Sequence, residues 1–236
     1  MTDSLEGKVV AIAGAGGGLG PVVSELLAAR GATLALAERN PELAGRCASH
    51  LDVDEARCDS YAVDLLDAGA TRGWADHVAE RFGGVDALIH LVGGWRGGKP
   101  IAEAPVEDDE FLHSLLVRTV QTATRAFLPH LVERSGRFAI VSSAQAQRPT
   151  STNAAYASAK AAAEAWTLAL ADELAGDGGT ANVIVVNAIV TPEMRRQNPD
   201  KPYKTFTDAG QIAEAIAFLL SDAGSKMNGQ RLSLHG

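Results

Sequence analysis

The chain of 236 residues is long enough for one large α/β domain or two small ones, and its 46% of hydrophobic residues is ample for a core. A net charge of -8 without a basic cluster argues against nucleic acid or an anionic membrane as a partner. The N-terminus has no apolar h-region, and no uncharged run approaches the ~18 residues of a membrane span, so we expect a soluble, cytoplasmic protein that binds a small molecule. Cys47 and Cys58 have no metal-ligand partners in the sequence, which predicts reduced thiols and no metal site.

The first motif is a strand, a glycine-rich turn and a helix. The apolar run Lys8 to Ala13 leads into the turn Gly14 to Gly20, and a helical pattern follows as far as Gly31. Three of the glycines have the spacing G-x-x-x-G-x-G, which lets the backbone approach a pyrophosphate whose charge lies on the N-terminus of the helix. A flexible turn without a ligand is the alternative, and the flanking strand and helix argue against it.

The second predicted strand, Ala32 to Ala37, ends at an acidic residue. Glu38 follows the glycines at about the ~20 residues expected for an acid that binds the adenosine ribose. A carboxylate there favours NAD, because a 2′-phosphate would meet a like charge; Arg39 can partly offset this, so NADP is disfavoured but not excluded. A solvated surface Glu is the alternative. After the third strand, Asp64 fits a contact to the adenine edge and fits an ordinary turn equally well.

The rest of the chain alternates between helices and strands. We predict helices over Pro41 to Leu51, Asp67 to Phe82, Val106 to Arg134 with a break at Pro129, Ala154 to Leu174 and Asp208 to Ser221, and strands over Asp59 to Val63, Val85 to Leu91, Gly136 to Val141, Asn182 to Ile189 and Gln230 to Leu234. Near-continuous apolar strands that alternate with helices predict a parallel, doubly wound sheet. There are no repeats or linkers, so one domain over residues 1–236 is the simplest organisation.

A glycine-rich loop, Val92 to Gly98, follows the fourth strand and carries Trp95 at its centre. A Trp in such a loop either packs back onto the domain or stacks on a ligand, and the sequence favours neither. Ligands of open parallel sheets bind at the carboxyl ends of the strands. We therefore expect the pocket between this loop, the loop from Ser143 to Asn153 and a polar loop from Thr191 to Thr205.

Three residues carry proton-transfer chemistry. Tyr156 and Lys160 are four residues apart on a predicted helix and so share one face, and Ser143 would offer a hydroxyl from the carboxyl end of a strand. A free Tyr titrates near ~10, so an adjacent cation that favours the phenolate would make Tyr156 a general acid/base near neutrality. For this spacing alone, a surface Tyr/Lys pair and a turn serine are the commoner explanation.

These motifs follow one another in a specific order along the chain. They are Gly14, Gly18, Gly20, Glu38, Asp64, Leu65, Ser143, Tyr156, Lys160 and the closing Asn228 to Gln230. Together they resemble the short-chain dehydrogenase/reductase family, from about Lys8 to the end of the chain. The resemblance implies a three-layer Rossmann fold with a seven-stranded parallel sheet and helices on both faces, an NAD(P)(H) cofactor, hydride transfer to or from a carbon that bears oxygen, and a homodimer or homotetramer.

The resemblance also implies roles for individual residues. Tyr156 would be the proton donor or acceptor, Ser143 the hydrogen-bond partner of the substrate oxygen, and Lys160 the cation that tunes Tyr156 and binds the nicotinamide ribose. The residues expected to bind the cofactor, with NAD(H) preferred and NADP(H) not excluded, are Gly14, Gly17, Gly18, Leu19, Gly20, Glu38, Arg39, Asp64, Leu65, Val92, Gly93, Tyr156, Lys160 and Thr191. The residues expected to contact the substrate are Trp95, Ser143 and Asn153.

The chain departs from the family pattern at three places. The family's Asn-Asn-Ala-Gly after the fourth strand is His90-Leu-Val-Gly93 here, and the helix asparagine used in proton relay is absent, with Leu116 or Arg118 in its place. The Pro-Gly pair expected after the sixth strand is missing too, which leaves Thr191 as the candidate for the nicotinamide amide. The departures affect proton resupply and cofactor geometry.

The predicted function is therefore hydride transfer between nicotinamide and a small carbonyl or alcohol substrate. Two alternatives remain. The segments Val85 to Ala87, Gly93 to Gly98 and Thr191 to Arg195 look similar to the dihydropteridine reductase branch, which reduces a quinonoid ring, but that branch is expected to lack the serine that this chain keeps at Ser143. The other alternative is a module that binds a dinucleotide without catalysis.

Overall fold

The computed structural model describes residues 4–51 and 53–235. Strands and helices alternate along the chain almost throughout. In chain order the elements are β1 (Val9–Ala13), α1 (Gly20–Ala29), β2 (Thr33–Glu38), α2 (Pro41–Ser49), β3 (Cys58–Ala62), α3 (Ala68–Phe82), β4 (Ala87–His90), α4 (Val106–His113), α5 (Thr119–Glu133), β5 (Arg137–Ser143), α6 (Ala154–Ala175), β6 (Thr180–Val186), β7 (Ala188–Val190), α7 (Pro192–Gln197), β8 (Phe206–Asp208), α8 (Ala209–Leu220) and β9 (Arg231–Ser233).

Seven strands form one parallel sheet in the order β3-β2-β1-β4-β5-β6-β9, which confirms the predicted doubly wound sheet. The strand order reverses between β1 and β4, and ligands of open α/β sheets bind in the crevice at such a switch point. The short strands β7 and β8 pair with each other outside this sheet. The single domain over residues 1–236 stays a prediction.

Helices cover both faces of the sheet, so the chain has three layers. One core lies under α3, α5 and α6 and includes the fully buried Phe127 and Phe138. The other lies under α1 and α8 and includes Leu27, Leu34 and Ile216. Burial of each such side chain contributes about 1.5–3 kcal/mol. Within the described residues, no helix combines the length and apolar character needed to cross a bilayer.

The long helix predicted over Val106 to Arg134 is interrupted, but not where the sequence suggested. Pro129 lies inside α5 without ending it, and the irregularity is a π-helical turn at Ser114–Arg118 that joins α4 to α5. The Thr119 hydroxyl donates to the Leu115 carbonyl oxygen at 2.6 Å, which satisfies one acceptor of the turn. A π turn adds one residue per turn and changes the face that the following helix presents.

The predicted sixth strand, Asn182 to Ile189, is two strands in the structure. The chain leaves the main sheet at Asn187, whose side-chain amide donates to the Thr205 carbonyl oxygen at 3.1 Å, and continues as β7. The loop predicted from Thr191 to Thr205 also contains α7, which begins at Pro192 and is capped by Thr191, whose hydroxyl oxygen accepts from the Met194 amide at 3.2 Å. Both differences place ordered backbone above the carboxyl edge of the sheet.

Candidate active site

A cavity of about 870 Å³ opens at the carboxyl edge of the sheet, beside the switch point between β1 and β4. Its volume lies within the range of about 300–1,000 Å³ typical of ligand pockets. Fifteen of the sequence-predicted site residues line it: Gly14, Gly17, Gly18, Leu19, Glu38, Arg39, Asp64, Leu65, Val92, Gly93, Trp95, Ser143, Tyr156, Lys160 and Thr191. Gly20 and Asn153 are the two that do not.

The glycine turn is shaped by close backbone packing. Gly14 has φ +81°, and a Cβ there would lie 2.8 Å from the Val92 backbone nitrogen. A Cβ on Gly20 would lie 2.1 Å from the Ala15 carbonyl oxygen, so Gly20 faces the turn itself. Gly20 therefore packs α1 against the turn, and its contact with a cofactor stays a prediction.

Two amide groups of the turn are free to bind an anion. The amides of Gly14 and Ala15 donate to the Ala37 carbonyl oxygen at 2.9 and 3.1 Å, which fixes the start of the turn against β2. Those of Gly18 and Leu19 donate to no acceptor in the part of the chain that the structure describes. They immediately precede α1, whose N-terminus favours negative charge. This arrangement fits a diphosphate.

Glu38 is folded against the glycine turn at the edge of the cavity. Its carboxylate accepts from the Gly16 amide at 3.2 Å through one oxygen and from the Arg39 amide at 2.8 Å through the other. Asp64 also lines this end of the cavity, and its carboxylate accepts from the Leu66 amide at 2.9 Å. The acidic residue that ends β2 and the one that follows β3 therefore lie together at one end, as the parallel strands predict.

Ser143, Tyr156 and Lys160 converge on the opposite part of the cavity wall. Ser143 is the last residue of β5, and its hydroxyl oxygen accepts from the Gln145 amide at 3.3 Å. Tyr156 and Lys160 lie one turn apart on α6, with the Lys160 Nζ 6.0 Å from the Tyr156 ring centroid. The Lys160 ammonium donates to the Val141 carbonyl oxygen at 2.8 Å, which ties the helix to β5.

Burial dominates the titration of both helical residues. It raises the pKa of the Tyr156 phenol, while hydrogen bonding to Ser143 lowers it. It also lowers the pKa of Lys160 to about 8, although the Glu164 carboxylate acts in the opposite direction. The sequence predicted a Tyr156 pKa lowered toward neutrality by the cation. The net shift is upward instead, because burial outweighs the other effects.

His90 occupies the first position of the family's Asn-Asn-Ala-Gly segment, at the end of β4. The side chain is buried, and its Nε2 atom has no hydrogen-bond partner among the described residues. Burial, together with the Lys160 charge, lowers the pKa of His90 to about 3. The imidazole is therefore neutral at physiological pH.

Because of the π turn, the residues that line the cavity in this region are not the ones that the sequence suggested. Leu116 is buried in a small core and Arg118 is exposed, so neither of the two residues expected at the asparagine position lines the cavity. The residues that do so from this region are Phe111, Ser114, Leu115 and Thr119. The regular spacing of four between Phe111, Leu115 and Thr119 could have indicated this face from the sequence.

Trp95 forms part of the rim of the cavity. It is 59% exposed, and its Nε1 donates to the Asn153 side-chain oxygen at 3.2 Å. The Gly98 amide donates to the Thr152 carbonyl oxygen at 2.7 Å, so the glycine-rich loop is fixed to the segment before α6. Asn153, expected to contact the substrate, holds Trp95 in place instead.

The wall beside Ser143 and Trp95 is largely apolar. The sequence did not identify Phe111 or Leu115 as parts of it, whereas Gln145 and Met194 lie in the two loops that it predicted to form the pocket. Apart from Lys160, the described residues that line this end carry no charged side chain. Outside the cavity, the Arg96 guanidinium lies 3.6 Å from the Phe111 ring centroid and pairs with Asp108 at 3.1 Å, which holds the aromatic ring.

Comparisons with known proteins agree with this geometry. Residues 14–236 match a family model described as enoyl-(acyl carrier protein) reductase. The oxidoreductase UcpA of Salmonella typhimurium is 28% identical over 250 residues, covering 98% of this chain and 94% of that protein. A 3-ketoacyl-(acyl-carrier-protein) reductase from Brucella melitensis, solved with NADH, has a TM-score of 0.86 at 27% identity over 98% of both chains. A short chain dehydrogenase from Burkholderia cenocepacia, solved with NADP, has a TM-score of 0.83 at 28% identity over 97% of this chain and 96% of the other.

Proposed function

The chain belongs to the short-chain dehydrogenase/reductase family, and on that basis we propose that it transfers hydride between a nicotinamide cofactor and a small carbonyl or alcohol substrate, with Tyr156 as general acid/base. The observation that carries the proposal is the convergence of Ser143, Tyr156 and Lys160 on the wall of the large cavity. The alternative of a binding module without catalysis is less well supported, because the relatives named above are an oxidoreductase and reductases or dehydrogenases by name.

The residues at the glycine turn fit a nicotinamide dinucleotide. The amides of Gly18 and Leu19 would hold the diphosphate, Glu38 the adenosine ribose and Thr191 the nicotinamide amide. When bound, the cofactor supplies or accepts the hydride. We propose NAD(H) as the preferred form, because Glu38 lines this end of the cavity and the turn from Gly14 to Gly20 contains no Lys or Arg.

The three catalytic side chains divide the proton chemistry among them. The Ser143 hydroxyl donates a hydrogen bond to the substrate oxygen, and Tyr156 gives its phenolic proton to that oxygen as the alcohol forms. Burial raises the pKa of Tyr156 and so keeps the phenol protonated at neutral pH, which suits reduction of a carbonyl. The Lys160 ammonium stabilises the phenolate that is left. General acid catalysis of this kind contributes on the order of 10² to 10⁴ in rate.

The wall of the cavity supports an uncharged substrate. Phe111, Leu115 and Met194 would contact the part of the substrate that lies beyond its reacting carbon, and Trp95 offers a ring face at the rim. A charged group against this wall would lose its hydration without gaining a partner. The comparisons give no support to pterin reduction, and the Ser143 hydroxyl on the cavity wall supports polarisation of a carbonyl oxygen.

The decisive experiment is Tyr156→Phe, assayed with NADH against a panel of ketones, quinones, imines and pterins. We expect kcat to fall by at least about 10²-fold, since the acid is lost, while NADH affinity measured by nicotinamide fluorescence stays within about threefold. Tyr61→Phe is the matched control, because Tyr61 lies on β3, donates to Asp59 and does not line the cavity. Wild-type turnover in Tyr156→Phe would disprove the mechanism.

Three further properties stay proposals. We propose that residues 1–236 act as one domain, in the cytoplasm, and as a homodimer or homotetramer. Support for assembly comes from α6, where Ala162, Ala165 and Ala169 form an exposed row of small side chains that would let a second helix approach closely.

A further inference from the structure

Glu164 is a buried carboxylate that the proposed mechanism does not use. It follows Lys160 by one turn on α6 and is only 1% exposed. The Ser142 hydroxyl donates to one carboxylate oxygen at 2.5 Å, and the Arg231 Nε donates to the other at 2.7 Å. Both oxygens of the carboxylate are therefore fixed beside the active site.

A structural role alone accounts poorly for this cluster. Buried ion pairs can be replaced by apolar residues of similar volume at little cost to stability, so their presence is weak evidence for a stabilising function. The Arg231 side chain is 41% exposed on the edge strand β9, whereas Ser142 lines the cavity. The cluster thus extends from the cavity, past the buried face at the middle of α6, to the surface of the molecule.

The charge of Lys160 is the property that Glu164 can control. The groups that face this ammonium are His90 on β4, the Val141 carbonyl oxygen on β5, and Tyr156 and Glu164 on α6. Glu164 is the only carboxylate among these groups. Burial lowers the pKa of Lys160 to about 8, and the Glu164 charge resists that shift, so the ammonium keeps its proton at neutral pH by a small margin.

We propose that Glu164 is a positioning residue that acts through Lys160, by keeping its buried ammonium charged, and that Arg231 and Ser142 hold the carboxylate where it does so. The inference rests on the proposed function, because the charged Lys160 matters only if Tyr156 exchanges a proton with substrate. In this proposal the Lys160 ammonium, 6.0 Å from the Tyr156 ring centroid, interacts with the phenol, so the apparent pKa values belong to the pair. Removal of a nearby negative charge must lower the smaller of the two apparent pKa values of the pair.

The test is the pH dependence of kcat/KM in Glu164→Gln, measured from pH 6 to 10 on the best ketone substrate found. We expect the apparent pKa of the alkaline limb to fall by about one unit, together with a loss of maximal kcat. Glu164→Asp keeps the charge and should keep the wild-type pKa, even if the shorter side chain lowers the melting temperature. If the carboxylate served only as a structural link, both variants would have a lower melting temperature and the apparent pKa of the alkaline limb would not change.

Arg231→Gln provides a second test that does not depend on the folding of Glu164→Gln. It removes the positive charge that opposes Glu164, while the Ser142 hydroxyl still holds the carboxylate in place, so the apparent pKa should rise, in the opposite direction. An unchanged or lowered value in Arg231→Gln, or an unchanged value in Glu164→Gln, overturns the proposal. If Tyr156→Phe is inactive while the pH profiles of Glu164→Gln and Arg231→Gln match that of the wild type, only this inference fails. If Tyr156→Phe remains active, the proposed function fails, and this inference fails with it.

Discussion

Substitution of Gly20 by alanine tests whether the glycine turn is held by packing. The new Cβ would lie 2.1 Å from the Ala15 carbonyl oxygen and 2.5 Å from its carbonyl carbon. Both are backbone atoms that cannot rotate away, so the turn or α1 must shift by about 1 Å to reach the shortest contact that real Cβ atoms make. Overpacking of this kind costs about 1–3 kcal/mol of unfolding free energy.

For a chain of this length, each kcal/mol changes the melting temperature by about 2–4 °C, so Gly20→Ala should lower it by about 2–12 °C in thermal unfolding followed by circular dichroism. The matched control is Gly45→Ala in α2. Nothing lies within 4 Å of a Cβ at Gly45, and loss of a helical glycine should stabilise the protein by about 0.5–1 kcal/mol.

Cofactor binding distinguishes packing from direct contact at the same position. If Gly20 packs the turn, its substitution moves the amides of Gly18 and Leu19, so the melting temperature and the NADH affinity should fall together. Equal melting temperatures for the Gly20 and Gly45 variants would refute the packing argument. A weakened NADH affinity with an unchanged melting temperature would restore Gly20 as a cofactor contact.

Three other outcomes are expected. NADH should bind more tightly than NADPH in fluorescence titrations, and tighter binding of NADPH by the wild type would contradict this. Glu38→Ser should reduce the preference for NADH by on the order of tenfold, because it removes the negative charge that repels the 2′-phosphate of NADPH. Ser143→Ala should reduce carbonyl turnover more than Trp95→Ala does, and a silent Ser143→Ala on the best substrate would favour a quinonoid ring instead. Light scattering at micromolar concentration should give a dimer or tetramer, and a monomer would contradict the proposed assembly through α6.

The sequence predicted most of the fold because its strands are buried on both faces. All of β1 and β6 is buried, so β1 and the second half of β6 appear as continuous apolar runs, and the turn residues mark the ends of the strands. The prediction failed at Pro129, where the fully buried Phe127 and Leu131 hold α5 in the core across the proline. The π turn has no residue signature, because it arises from a change of hydrogen-bond partner along otherwise ordinary helix.

The candidate site was predictable where its residues are close in sequence. Tyr156 and Lys160 share a helix, and that spacing alone places them together. Glu164 and Arg231 meet only because β9 pairs with β6 beside α6, a contact that spacing does not reveal. The hydrogen bond between Asn153 and Trp95 was not predictable for a related reason, since Trp95 lies in a loop whose path depends on the whole sheet.

The strand order also has a consequence for the growing chain on the ribosome. β1 is the earliest strand to be made, and each later strand adds to an edge that already exists, outward to β3 on one side and to β9 on the other. Synthesis from the N-terminus can therefore build the sheet without inserting a strand between two that have already paired. Until Arg231–Ser233 emerge, however, the wholly buried, apolar β6 is an unprotected edge, and such edges pair readily with other chains. Chains that end before β9 should therefore aggregate during expression rather than accumulate as slightly shortened, folded protein.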